Sequence, residues 1–202
     1  MDLPVAIGYR ILQKVSPKVT IYYPFVVGLA NQEAETKINA AIVDTLNQIL
    51  VELGYHEPSL QEMLGEFEVK TNERGIFSLS LSVYSFTGGA HGMTIIKSLT
   101  FDVATGHQYD LSDLFITDSD YATKLSSIIQ VKIKDWGTLL LDEFTKIRND
   151  QDFYLADHSI VIYFQLYEIS PYVMGFPYFP IPILDIQDII KPDGPLEKLL
   201  PF

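Results

Sequence analysis

Hydrophobic positions along the chain change period several times, and each change marks an element. Residues Val5 to Tyr23 hold two short extended segments rich in Val, Ile, Thr and Tyr, separated at Ser16-Pro17, the composition of half-buried strands. From Asn31 the spacing shifts to three and four residues: Ala34, Ile38, Ala41, Ile42, Leu46, Ile49, Leu50 and Leu53 predict an amphipathic helix. Asn31 is its expected N-cap, Glu33 and Glu35 suit the positive end of the helix dipole, and Gly54 marks its stop. Glu66 to Thr71 and Ile76 to Phe86 then read as a hairpin around Asn72-Glu73-Arg74-Gly75. In its second arm Phe77, Leu79, Leu81 and Val83 alternate with polar residues, which predicts a sheet with one buried face.

Thr94 to Val103 predicts a further strand, turned back by Ala104-Thr105-Gly106-His107, and a short helical turn is expected at Leu114. A second long helix is expected from near Ser119, with Tyr121, Leu125, Ile129, Ile133, Trp136, Leu140, Phe144 and Ile147 on one face and Gly137 as a bend or interruption. Phe153 to Leu155 and Ser159 to Leu166 flank a turn at Ala156-Asp157-His158, and Tyr178 to Leu184 reads as an edge strand that tolerates its prolines. The fold class is therefore α+β: antiparallel sheets with two long helices, in two closely packed subdomains. The subdomains are drawn at 1–95 and 96–202, although no linker marks the boundary.

One stretch departs from this alternation. Tyr84-Ser85-Phe86-Thr87-Gly88-Gly89-Ala90-His91-Gly92 interrupts strand-like sequence with three glycines and one histidine. Glycines this dense imply backbone angles closed to other residues or close approach by another group, and imidazole is the side-chain type that changes charge near neutrality. Gly88, Gly89 and His91 are candidate partner-binding residues. A structural role for His91 is the simpler reading, and catalysis would need an orienting or nucleophilic neighbour such as Ser85 or Asp102. A Gly-x-Ser-x-Gly elbow is missing. A second candidate is Tyr167 to Phe179, where Tyr167, Tyr172, Phe176, Tyr178 and Phe179 stand among Pro171, Gly175 and Pro177. Aromatics on a stiffened loop supply rigid contact area to a protein or glycan, or else complete the core. Glu168 within it is placed to meet a cationic group.

Composition narrows the chemistry. The net charge of -12 argues against a nucleic-acid partner and accommodates a cationic one, while also serving solubility. With no cysteine, disulfides, thiolate metal sites and cysteine nucleophiles are excluded. His56, His91, His107 and His158 lack metal-ligand spacing. Asp110, Asp113, Asp118 and Asp120 lack the calcium-loop register, so helix capping explains them better. No metal or cofactor is expected. No apolar run is long enough to span a bilayer, and Met1 to Val5 has no signal-peptide pattern. A native start at Met1 predicts a cytoplasmic protein; a signal or anchor trimmed from it would make the protein extracytoplasmic.

The run Gly88-Gly89-Ala90-His91-Gly92, then Leu99-Thr100-Phe101-Asp102, Thr105-Gly106 and Leu111-Ser112-Asp113-Leu114-Phe115, resembles a bacterial domain-of-unknown-function family. So do Asp152-Phe153-Tyr154-Leu155, Val161-Ile162-Tyr163-Phe164, Tyr167-Glu168-Ile169 and Pro171-Tyr172. This family is found in the extracytoplasmic region of the lysozyme-sensing anti-sigma factor RsiV, and a related module precedes the catalytic domain of the peptidoglycan deacetylase PdaC. The resemblance makes the first half the PdaC-associated part and the second half the RsiV C-terminal part. It implies an α+β binding or sensing module that is not an enzyme, with a cationic protein or peptidoglycan-related ligand. The alternatives are a small hydrolase using His91 and a cytoplasmic structural or assembly protein.

Overall fold

The computed structural model of the chain describes residues 4–201. It divides between Gln108 and Tyr109 into two units. The divide follows the fifth strand because that strand pairs along its length with the fourth, so the residues after 95 that complete it belong to the first unit.

In the first unit β1 (Ala6–Lys14) and β2 (Lys18–Val27) form an antiparallel hairpin. The helix α1 (Gln32–Glu52) follows, capped by Asn31, whose side chain accepts from the amides of Glu33 at 3.1 Å and Ala34 at 3.2 Å. Its 21 residues span about 31 Å and return the chain to the end of the sheet where β2 began. Consequently β3 (Glu62–Glu73) runs parallel to β2, Lys18 to Ile21 beside Glu62 to Gly65. This one parallel pair departs from the all-antiparallel expectation; it needs a long crossover, which α1 supplies. β4 (Ile76–Phe86) and β5 (Met93–Asp102) complete the sheet in the order β1-β2-β3-β4-β5.

The alternation in β4 sorts its residues between two faces. Phe77, Leu79, Leu81 and Val83 join Ile38, Ile42, Leu46 and Ile49 of α1 in one core with Ile21 and Met63. Each such side chain, fully buried, contributes roughly 1.5 to 3 kcal/mol relative to exposure. On the other face Ser78 bonds Thr100 and Ser80 bonds Ser98, each at 2.8 Å.

The second unit opens with a single 3-10 turn at Leu111–Leu114, closed when Asp113 accepts from the Asp110 amide at 2.9 Å. The helix α2 (Tyr121–Trp136) starts at Asp120, whose carboxylate accepts from the Thr123 amide at 3.2 Å. It ends at Gly137, in the left-handed conformation with φ 63°, a geometry that stops a helix. The helix expected to run on through Phe144 and Ile147 is thus shorter. Those two residues are buried in an irregular segment that turns back along α2. There the Ile147 amide donates to Ser126 Oγ at 3.0 Å and Gln130 Nε2 to the Phe144 carbonyl at 3.3 Å.

β6 (Phe153–Ala156), β7 (Ser159–Tyr163) and β8 (Tyr178–Pro182) form an antiparallel sheet in that order. Trp136 of α2 stacks on Phe179 of β8 with ring centroids 5.6 Å apart. A short helix α3 (Pro195–Lys198) lies near the C-terminus. Among the described residues no helix is long and apolar enough to cross a membrane.

Two carboxylates fasten α2. Hydrogen bonds from Thr123, then from Lys146, hold the Asp120 carboxyl below its ordinary pKa. A hydrogen bond from Lys124 does the same for Asp188. Groups depressed in the folded state stabilise above their unfolded pKa and lose that contribution as pH falls through the folded value. Melting temperature is therefore expected to fall on acidification from about pH 5 downwards. In thermal melts across that range, Asp120→Asn should show a shallower acid limb; an identical limb would remove Asp120 from the account.

Candidate functional site

The sequence candidates fall into two groups, one in each unit. Gly88, Gly89 and His91 lie on the six-residue loop between β4 and β5, where Ser85 still pairs with Met93. Gly88 and Gly89 both have φ +101°, so the loop's shape depends on them. His91 is exposed, and its Nδ1 lies 2.8 Å from the Gly92 carbonyl.

With Glu52, Glu57, Ser59, Ser85 and Thr87, His91 borders a surface depression of about 340 Å3. The Ser85 hydroxyl donates to the Leu53 carbonyl at 2.9 Å, tying the loop's base to the end of α1. Asp102, the other neighbour considered for His91, lies at the opposite end of β5, a strand about 30 Å long. There it accepts from the amide and hydroxyl of Thr105, each at 2.9 Å, and shapes the turn. Among the described residues no three carboxylate or imidazole groups gather to hold a metal ion.

Gly92 has little room around it. A Cβ there would stand 2.3 Å from the Tyr84 ring and 2.5 Å from the Ser85 carbonyl oxygen. The ring of Tyr84 therefore rests on bare backbone, and the loop fixes where that ring stands on the sheet.

The second group comes together on one segment between β7 and β8. Tyr167 and Tyr172 have ring centroids 5.7 Å apart, and Phe176 and Tyr178 are 6.4 Å apart. A 3-10 turn, Tyr172–Met174, is set between Pro171 and Gly175 and pushes its residues outward. Val173 is 85% exposed and Tyr167 46%, with Met174 and Tyr178 also exposed. The result is an apolar ridge.

Glu168 meets a cationic group of its own chain. Its side chain, 19% exposed, pairs with Arg148 and accepts from the Gln165 amide at 2.7 Å and from Gln151 Nε2 at 3.1 Å. Gln151 is itself buried and also donates to the Tyr163 carbonyl at 2.9 Å. Burial works against the charge on Arg148, but Glu168 and Asp150 outweigh it and hold the guanidinium above its ordinary pKa. Glu168 thus anchors the start of the ridge, where Tyr167 takes an unusual φ of 65°.

Beside Tyr167 a notch of about 190 Å3 is lined by Leu141 to Lys146 and by Glu168 and Ile169. Lys146 is paired with Asp120 at 3.2 Å. Asp142 and Glu143 are exposed, with no ion pair among the described residues. An aromatic ring beside such carboxylates suits a lysine or arginine head group. These acids were not singled out in the sequence; the only signal was their place in the overall acidity.

Residues 13–94 match the family described as Deacetylase PdaC, and residues 112–183 match DUF3298, a protein family of unknown function. The peptidoglycan-N-acetylmuramic acid deacetylase PdaC of Bacillus subtilis (strain 168) is 26% identical over 143 residues, covering 67% of this chain and 31% of its own length. The anti-sigma-V factor RsiV of the same organism is 26% identical over 197 residues, covering 88% of this chain and 67% of its own. The chain thus spans about a third of the deacetylase.

The crystal structure of a DUF3298 family member from Bacteroides fragilis NCTC 9343 superposes with a TM-score of 0.68 at 16% identity, covering 93% of this chain and 94% of that one. A second, from Pseudomonas aeruginosa PAO1, gives 0.67 at 16% identity over 100% and 99%. At that identity the likeness establishes the fold. The chain is thus similar in sequence to DUF3298 over residues 112–183 and, ahead of them, to the family described as Deacetylase PdaC over residues 13–94, and it shares the fold of the solved DUF3298 proteins.

Proposed function

We propose that this chain is a non-enzymatic binding module that takes a cationic protein on the ridge from Tyr167 to Tyr178. The observation that carries the reading is the ridge itself: an apolar strip on a turn, exposed at Val173, Met174, Tyr167 and Tyr178. Exposed apolar strips of this kind mark contact surfaces, and rigid aromatics lose little entropy on binding. The unpaired carboxylates of Asp142 and Glu143 beside Tyr167 give the surface its preferred charge. The relation to RsiV supports a binding or sensing role.

Calorimetric titration with a small basic protein, lysozyme, tests this. Saturable binding that weakens with salt is expected. Tyr172→Ala should weaken it about tenfold, and a Asp142→Asn, Glu143→Gln double variant should flatten the salt dependence. Binding that ignores both variants would move the partner elsewhere, and no binding at low salt would remove a cationic protein of this type.

A further inference from the structure

We propose that the exposed part of the first unit's sheet face opposite α1, around Tyr22 and Leu64, carries an oligosaccharide-binding trough. It is built from residues far apart in sequence that the strand order brings side by side: Thr20 and Tyr22 of β2, Leu64 and Glu66 of β3, Ser82 and Tyr84 of β4, and Thr94 of β5. Register sets the rows, with Thr20 opposite Leu64, Leu64 opposite Tyr84 and Tyr84 opposite Thr94.

The hollow measures about 440 Å3 and crosses four strands, about 14 Å, which is longer than one pyranose ring. Tyr22 is 42% exposed and Leu64 40%. Tyr84 forms the far wall, and its ring is seated on Gly92. The glycine-rich loop therefore has a role at this trough: it positions a ring.

The lining chooses the ligand class. It holds two phenol rings, three hydroxyl side chains and one carboxylate, without a lysine or arginine, so an anionic ligand has no counter-charge. The hydroxyls suit no lipid. β4 is paired on both sides, and β2 and β3 pair with each other from Lys18 to Ile21 and from Glu62 to Gly65, so along the row Thr20, Leu64 and Tyr84 the main-chain groups are committed to the ladder, and an extended peptide could not add as a strand there. A sugar fits both surfaces: its C–H face lies on tyrosine rings, and its hydroxyls meet Thr20, Ser82, Thr94 and Glu66. Glu66 is exposed and has no ion pair among the described residues, so it complements an amino sugar.

The test is a titration of the full chain with tetramers of N-acetylglucosamine and of glucosamine, followed by calorimetry and by tyrosine ring resonances. At least one tetramer should bind saturably, with Tyr22→Ala weakening it about tenfold and Tyr22→Phe, which keeps the ring, retaining most of the affinity. Glu66→Gln should weaken the glucosamine tetramer selectively. Binding of neither tetramer, or binding unchanged in Tyr22→Ala, overturns the proposal, as would a basic peptide competing for the same tyrosines. The site is independent of the ridge: Tyr172→Ala should leave sugar binding intact, so either reading can fail alone.

Discussion

Gly92→Ala is expected to destabilise the first unit by about 2 to 3 kcal/mol and to lower the melting temperature by roughly 5 to 10 °C. The new Cβ would meet two neighbours at once. The Tyr84 ring, 2.3 Å away, could swing aside, but the Ser85 carbonyl at 2.5 Å belongs to the ladder of β4 and cannot move without breaking pairing with β5. Relief is therefore available only by displacing the loop, and Tyr84 leaves its wall in the process. Gly89→Ala is the matched control. Nothing lies within 4 Å of its added Cβ, and only its φ of +101° opposes it, a cost of about 1 kcal/mol. Thermal melts that rank the two equally would mean that close approach at Gly92 is not what shapes this loop.

Glu168→Ala should cost the second unit about 2 to 3 kcal/mol. Three groups lose an acceptor together: the Gln165 amide, the buried Gln151 side chain, which keeps the Tyr163 carbonyl, and Arg148, which keeps Asp150. The first two are poorly placed to find water. The ion pair itself adds less than a buried one would, because half of the Arg148 side chain faces solvent and is screened there. Glu168→Gln, which keeps an acceptor without the charge, should therefore retain most of the stability. In urea melts the two variants separate by about 1 kcal/mol or more on this account; equal losses would make the charge, not the hydrogen-bond anchor, the dominant factor. Since Glu168 adjoins Tyr167 at its positive φ, Glu168→Ala should also loosen the ridge and weaken lysozyme binding.

Local patterns in the sequence carried much of this fold. The apolar spacing from Ala34 to Leu53 and the cap at Asn31 define α1 because helix geometry is set within a few residues. The alternation from Phe77 to Val83 likewise separates the core face of β4 from its serine face. What escaped depends on distant partners. The parallel pairing of β2 with β3 follows from the length and return of α1, and no residue in either strand announces it. Phe144 and Ile147 continue the period of α2 although the helix has ended at Gly137, because a segment folding back along a helix must also present apolar residues to the core.

The candidate residues divide in the same way. Tyr167, Tyr172 and Phe176 were legible as an aromatic cluster, since its residues are neighbours in the chain. Which groups Glu168 meets was not legible, because Arg148, twenty residues earlier, and Gln151 reach it only through the return of the chain. The trough of Tyr22, Leu64 and Tyr84 was invisible for a related reason: its members are contributed by three strands, and only their register makes them neighbours.

Hydrogen–deuterium exchange on the full chain, free and saturated with lysozyme, tests the binding surface most directly. Contact on the ridge predicts added protection at the amides of 167–178 and of 141–146, lost in Tyr172→Ala at the same lysozyme concentration. Protection confined to other segments, or none at saturating occupancy, would contradict the assignment of this ridge as the site where a cationic protein is held.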